Sequence, residues 1–589
     1  MKKRILSGLL AITVMASMIT GCGSKTEAPA TAPEAAYDAS DAATEEWYEP
    51  ATEAEADYDD SQSLAPSVNA EAGATYKSEA ARDFDTTVEN DHAWYDDDDL
   101  PDVSGEDYSF NPENGFDSVL ASPLSTFAAD VDTASYSNMR RFVNDGFGLY
   151  DFPEGSIRAE ELINYFKYDY AEPKNGQRFG VDAQVSDCPW NRKNKLMILG
   201  VNTKELKETK RPDSNIVFLL DVSGSMNSEN KLPLLKDAMG ILTENLGKND
   251  RVSIVTYASG TKVVLEGVRG DDNRKIMRAF DSLKAGGATN GEGGIELAYE
   301  IAEENFIKGG NNRIILGTDG DFNVGKCTGD DLKDLISEKK ESGIFLSVLG
   351  FGMGNYSDTT AETLADAGNG NYSYIDSMKE AEKVLNEEFY STIYTVAKDT
   401  KLQVEFNPAM VSQYRLIGYE NRKLNAEDFR DDKKDGGELG AGHQVTAVYE
   451  IRLAEDDEEY SNLKYQNSVI SDKGKKGDEW CTLSIAYKDP DKDSSEYLEF
   501  PISANNYTNR PSDRFILATS VAEYAMALTD SNYLKDMSRE EALGQAIKNV
   551  NKIDHSDEYV DEFLSLMEQV ERNTDGYRYE DNDDKMWYE

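Results

Sequence analysis

The sequence predicts an α/β protein in which a doubly wound, mostly parallel sheet domain is inserted in a β-rich, sandwich-like domain. Three observations predict it. Between Asn215 and Ala367, continuous apolar runs alternate with amphipathic stretches of helical period, the pattern of a parallel sheet covered on both faces. Short β-rich segments lie on either side of that stretch, and neither flank alone makes a comfortable sheet. Helical periodicity occupies the outer margins, around 126–170 and 511–573.

Each element follows from local pattern. Asp132-Thr133 is a helix start before Ser135–Asn144, and Gly155-Ser156 precedes a second helical stretch, Ala159–Tyr168. Phe179–Ser186 and Lys195–Val201 read as strands. The alternating region has apolar runs at Ile216–Leu220, Val252–Tyr257, Lys262–Leu265, Arg313–Leu316 and Ile344–Gly350. Helical stretches fill the gaps at Leu232–Leu246, Asn273–Leu283, Gly293–Phe306, Asp330–Glu341 and Ala361–Ala367. Strand character returns at Lys401–Phe406, Tyr414–Glu420, Gln444–Leu453, Trp480–Tyr487 and Tyr497–Ile502. Helices at Asp513–Leu528, Glu540–Asn549 and Glu558–Glu571 close the folded part.

Of 589 residues, 112 are Asp or Glu and 61 are Lys or Arg, a formal net charge of −51. A chain this negative repels phosphate backbones, so a nucleic-acid partner is excluded as an expectation. Three histidines leave little room for a histidine-ligated zinc or iron centre. The charge is uneven: Lys25–Ser125 holds 27 acidic and 3 basic residues and no sustained period. Such a segment cannot bury enough apolar surface to offset its ordering entropy, and 23–122 reads as an acidic disordered tether. Residues 575–589 read as an acidic tail.

Upstream, Lys2, Lys3 and Arg4 precede an apolar run too short to span a bilayer comfortably, the pattern of an export signal over 1–22. It ends in Ile19-Thr20-Gly21-Cys22, which resembles the lipobox of bacterial lipoproteins. The resemblance implies a lipid-modified Cys22, and hence an extracytoplasmic chain anchored to a membrane.

The chemistry gathers at strand ends. The first apolar strand of the alternating region runs into Asp221-Val222-Ser223-Gly224-Ser225, where alternate residues place oxygens on one side of a loop. Gly286-Gly287-Ala288-Thr289-Asn290 adds a hydroxyl, and a later strand ends in Thr318-Asp319-Gly320 with a second carboxylate. Ligands of doubly wound sheets collect at the carboxyl ends of strands. Two carboxylates and three hydroxyls are hard donors suited to Mg²⁺, Mn²⁺ or Ca²⁺.

Asp221, Ser223 and Ser225, with Thr289 and Asp319, resemble the metal-ion-dependent adhesion site of von Willebrand factor type A (vWA) domains, which are Rossmann-like. Phe127–Tyr136, Gly317–Gly325, Arg415–Arg422 and Gly440–Glu450 are similar to segments of bacterial vWA lipoproteins with flanking N- and C-terminal domains. The resemblance implies a divalent ion, most simply Mg²⁺, that captures an acidic group on a protein or envelope partner. It implies an N-terminal helical region at 123–178, a β-segment at 179–210 pairing with a β-rich domain at 398–508, a vWA domain at 211–396, and C-terminal helices at 509–574. A binding module, not an enzyme, is the reading this favours. The alternatives are a metal-dependent envelope hydrolase, for which no general base or nucleophile is evident, and a metal-independent assembly factor.

Other motifs are weaker. Gly320–Cys327 approaches a phosphate-binding loop but has Cys327 where the hydroxyl is needed. Gly350-Phe351-Gly352-Met353-Gly354 lacks a full dinucleotide fingerprint and reads as a turn. Asp489–Asp493 opens like a calcium loop, then departs from it at Ser494 and Phe500, and reads as a hairpin turn. Arg269-Gly270-Asp271 is a tripeptide that arises easily by chance. Trp-Tyr before an acid occurs at 47–49, 94–96 and 587–589, either as docking motifs or as an accident of a Tyr-rich chain. Cys188, Cys327 and Cys481 permit at most one internal disulfide.

Overall fold

The computed structural model describes residues 100, 103–129, 132–174, 176–206, 211–320, 329–339, 342–456, 470–490, 492, 494–534 and 537–585. Cys22, the export signal, the three Trp-Tyr-acid motifs, Cys327 and most of the phosphate-loop-like stretch lie outside these residues.

The inserted domain is built on a six-stranded sheet ordered Tyr372–Ile375, Phe345–Phe351, Asn311–Thr318, Ser214–Asp221, Arg251–Tyr257, Thr261–Arg269. Its pairings are parallel except that of the edge strand Thr261–Arg269, which runs antiparallel. Ser214–Asp221 is buried along its whole length because helices cover both faces. Ile216, Phe218 and Leu220 pack with Leu235 and Met239 of Leu232–Glu244 on one side. Val217 and Leu219 alternate onto the other side, against Ile295 and Tyr299 of Gly291–Glu304.

The flanks form a sandwich of two antiparallel sheets. One has the order Asp117–Ser118, Val411–Ile417, Gln444–Leu453, Lys195–Thr203, Phe179–Asp187. The other has the order Lys423–Leu424, Leu124–Ala128, Thr395–Phe406, Glu479–Lys488, Ser495–Ser503, with Gly437–Gly440 also paired to Thr395–Phe406. Their shared core joins Met197, Leu199, Tyr449 and Ile451 to Phe127, Leu402, Val404, Phe406 and Ile485. The strand that precedes the insertion, Lys195–Thr203, pairs residue for residue with Gln444–Leu453, far beyond it. Both ends of the insertion meet at one residue. The Thr203 hydroxyl donates to the Gly440 carbonyl over 2.6 Å, and Thr395 is paired with Gly440.

A helical layer covers the outer face of the first sheet. Ala134–Asn144 and Ala159–Asn164 pack with Asp513–Leu528, Arg539–Val550 and Glu558–Lys585, around Tyr136, Tyr165, Leu517, Val521 and Phe563. The rings of Tyr136 and Tyr165 stack with centroids 3.5 Å apart. Among the described residues no helix is long and apolar enough to cross a membrane.

Four expectations are corrected. Residues 103–122, read as the end of the tether, are packed on the folded body. Glu106 takes two hydrogen bonds from the Arg141 guanidinium at 2.9 and 2.8 Å, and Asp117–Ser118 pairs with Val411–Ile417. The acidic composition concealed partners that lie elsewhere in the chain. Leu124–Ala128, inside the region read as helical, is a sandwich strand paired with Thr395–Phe406, because its Phe127 completes the core between the sheets. The helix from Ala159 stops at Asn164, where Tyr165, Phe166 and Tyr168 turn into the helical core. The last helix continues to Lys585, into the stretch read as a tail. Cys188 and Cys481 are free thiols, buried in separate cores.

Candidate metal centre

Asp221 ends the central strand and Asp319 follows the end of its neighbour. Leu220 is paired with Gly317, so the two carboxylates stand side by side at the carboxyl edge of the sheet. The chain winds away from the central strand in both directions here, which opens the crevice where such sheets place ligands. Asp221, Ser223, Thr289 and Asp319 are all buried.

The local turn explains the spacing. The Ser223 amide donates to Asp221 Oδ1 over 2.7 Å, which folds the loop back on its own strand. That fold brings the Ser223 and Ser225 hydroxyls to 3.0 Å of each other. The loop carrying Thr289 is strapped to this turn at two points. Gly224 donates to the Gly287 carbonyl over 2.9 Å, and Gly286 to the Val222 carbonyl over 2.8 Å. Gly287 has φ +97, and a Cβ there would fall 2.6 Å from Ser259 Oγ, so only glycine allows the strap. Thr289 is thereby fixed one residue before Asn290, which caps Gly291–Glu304.

Burial pushes the Asp221 carboxyl up to about 6, and the Asp319 charge pushes the same way, while the Ser223 amide works against both. Asp221 Oδ2 is buried and makes no well-formed hydrogen bond among the described residues. A buried carboxylate oxygen without a full complement of donors is costly unless a cation serves it. With two neutral hydroxyls beside it and a second carboxylate near, the donor set fits a hard divalent ion. Among the described residues no three His, Cys, Asp or Glu side chains converge, so two carboxylates and hydroxyls are what this site offers.

One component was not anticipated. Lys231, just before Leu232–Glu244, donates to Asp319 Oδ2 over 3.0 Å and to Asn355 Oδ1 over 2.6 Å. Asn355 comes from the loop after Phe345–Phe351, whose glycines were read as a plain turn. Nothing in the spacing of Lys231 ties it to Asp319; only the repeated glycines, which permit close backbone approach, hinted that this loop packs on something.

The weaker motifs resolve into ordinary structure. Arg269 and Asp271 pair with each other at 2.6 Å on an exposed strand end. Glu479–Lys488 and Ser495–Ser503 form the hairpin whose turn holds Asp489. A separate cleft of about 640 Å³, lined by Tyr150, Glu160, Arg415 and Glu420 among others, contains none of the five site residues.

The fold and the strand-end site define a vWA-domain protein, a class of non-catalytic binding and adhesion modules. Residues 215–387 match the von Willebrand factor type A domain, and residues 102–198 match a family described as von Willebrand factor. Residues 391–572 match the C-terminal region of uncharacterized protein YfbK. Uncharacterized protein YfbK of Escherichia coli K12 is 39% identical over 471 residues, covering 79% of this chain and 80% of that protein. The chain belongs to the YfbK family of vWA proteins. Uncharacterized protein sll0103 of Synechocystis is 27% identical over 240 residues, covering 39% of this chain and 54% of that one. A solved von Willebrand factor type A structure from Catenulispora acidiphila aligns at 16% identity and a TM-score of 0.39, covering 66% of this chain and 88% of its own.

Proposed function

We propose that this protein is a surface-anchored binding module whose vWA domain captures a carboxylate group, on a protein or an envelope component, through a divalent cation. The observation that supports this reading is the pair Asp221 and Asp319 at two adjacent strand ends, with the Ser223–Ser225 turn beside them, the helix-to-helix loop of Thr289 strapped to that turn, and Asp221 Oδ2 short of donors. A bound Mg²⁺ would supply coordination positions for an incoming carboxylate oxygen. Asp221 holds the loop closed through the Ser223 amide. Ser223, Ser225 and Thr289 present neutral oxygens, which leave charge on the ion for a partner to satisfy. Asp319 balances part of that charge and is itself held by Lys231.

Lipid attachment at Cys22 would hold the domain outside the membrane, with the acidic segment that follows serving as a spacer. Affinity capture from native cells, with and without Mg²⁺, using wild type and Asp221→Ala, tests the whole reading. A partner retained after both chelation and substitution would overturn it. Metabolic labelling with palmitate, compared between wild type and Cys22→Ser, tests the anchor separately.

A further inference from the structure

Lys231 is built into the site. Its side chain is only 6% exposed and its stem lies against Gly352, where φ is +84. A Cβ at residue 352 would fall 2.2 Å from Lys231 Cε, so the loop leaves a slot for this one side chain. At the end of the slot the ammonium meets Asp319 Oδ2 and Asn355 Oδ1. The Asn355 amide also reaches the same Asp319 oxygen, at 3.4 Å. A flexible four-carbon side chain is thus held to one position by packing and two acceptors.

The charges at this strand edge then sum in a specific way. Asp221, Asp319 and Lys231 together carry −1. A divalent ion brings the group to +1, and one incoming carboxylate returns it to zero. Without Lys231 the two aspartates alone would neutralise the ion, and a carboxylate would add uncompensated negative charge to a buried site. Charge imbalance in a water-poor setting is disfavoured at either sign.

We infer that Lys231 couples the two binding events: it weakens the hold on the ion alone and makes ion and anionic partner stabilise one another. This rests on the proposed role of the five-residue site and adds its regulation. Free protein holds its ion loosely, and the ion becomes tightly held when a carboxylate arrives. Reciprocity requires that the ion raise carboxylate affinity by the same factor.

The test is Mn²⁺ binding to the full chain, followed by titration calorimetry and by the electron paramagnetic resonance of free Mn²⁺. It is run in chloride and in acetate, with the weak Mn²⁺–acetate association subtracted. Wild type is expected to bind Mn²⁺ several-fold more tightly in acetate. Lys231→Met is expected to bind Mn²⁺ about tenfold more tightly than wild type in chloride and to lose the acetate effect. Lys231→Arg, which keeps the charge, is expected to retain the acetate effect. The wild-type comparison needs no variant, so it decides the inference even if Lys231→Met does not fold: equal Mn²⁺ affinity in chloride and acetate overturns it. Unchanged affinity in folded Lys231→Met overturns it too. Wild type that binds no Mn²⁺ beyond what Asp221→Ala binds would overturn the site reading itself, an outcome distinct from the other two.

Discussion

Arg158 Nη1 donates to Asp358 Oδ2 over 2.8 Å, joining residues 200 positions apart in a setting almost closed to water. Arg158 precedes the helix Ala159–Asn164, and Asp358 opens the helix Asp358–Ala367 of the vWA domain. The same guanidinium also serves Glu161. A second bridge runs parallel, from Arg422 to Glu362 at 2.8 Å and to Asp366 at 2.6 Å. The inserted domain is therefore held to its flanks by buried or half-buried ion pairs, besides its two chain connections.

Arg158→Ala should cost about 3–5 kcal/mol, because it leaves Asp358 and Glu161 buried without their counter-ion. Urea denaturation measures this. A loss below about 1 kcal/mol would mean that the pair does not secure the interface. Replacing both partners, Arg158→Met with Asp358→Leu, should recover part of the loss.

Gly440 marks where the insertion leaves and rejoins the sandwich. A Cβ there would lie 1.8 Å from the Ser391 carbonyl oxygen, which is backbone and cannot swing aside. Gly440→Ala is expected to destabilise by at least about 1–3 kcal/mol, as overpacking does. Thermal unfolding checks it, with Gly176→Ala as a control for adding a methyl where nothing lies within 4 Å; because Gly176 has φ +78, that control carries only backbone strain.

Glu523 lies fully buried on Asp513–Leu528, with one oxygen accepting from Gln545 at 2.6 Å and the other unserved. Burial pushes its carboxyl up to about 8, with the Gln545 hydrogen bond opposing. The folded chain thus holds a proton that the unfolded chain releases near pH 4.3, so stability is full below that pH and falls as pH rises towards 8. The loss amounts to a few kcal/mol. Glu523→Gln should flatten that part of the pH–stability curve and raise stability at pH 8. An unchanged slope between pH 5 and 8 would show that Glu523 does not contribute to it.

Mg²⁺ should stabilise the wild-type chain against heat by about 2.7 kcal/mol at a hundred times its Kd. Asp221→Ala should abolish that increment, and Ser225→Ala should reduce it. Differential scanning calorimetry with and without chelator reads it directly. An equal increment in wild type and Asp221→Ala would place the ion elsewhere.

The vWA strands were legible in the sequence because a strand buried on both faces needs a continuous apolar run, as in Ile216–Leu220. The turn of Asp221, Ser223 and Ser225 and the carboxylate of Asp319 were legible because each follows directly on an apolar strand, whereas Thr289 lies in a loop between two helices, Asn273–Asp281 and Gly291–Glu304. Glu106 was misread as tether because an acidic stretch looks the same whether or not an arginine elsewhere receives it. Phe127 was missed because five residues of strand, buried by distant partners, carry too short a pattern to stand out beside a helix start.

The sequence by itself determined the doubly wound sheet, its strand-end donors and the β-rich flanks, since each depends on residues close along the chain. Only the tertiary structure decided that Leu124–Ala128 completes the second sheet, that Thr203 and Thr395 meet at Gly440, and that Lys231 reaches Asp319 across 88 residues. Those pairings join distant segments whose contact is fixed by packing of the whole core. No local period or spacing encodes which carboxylate a buried lysine will meet.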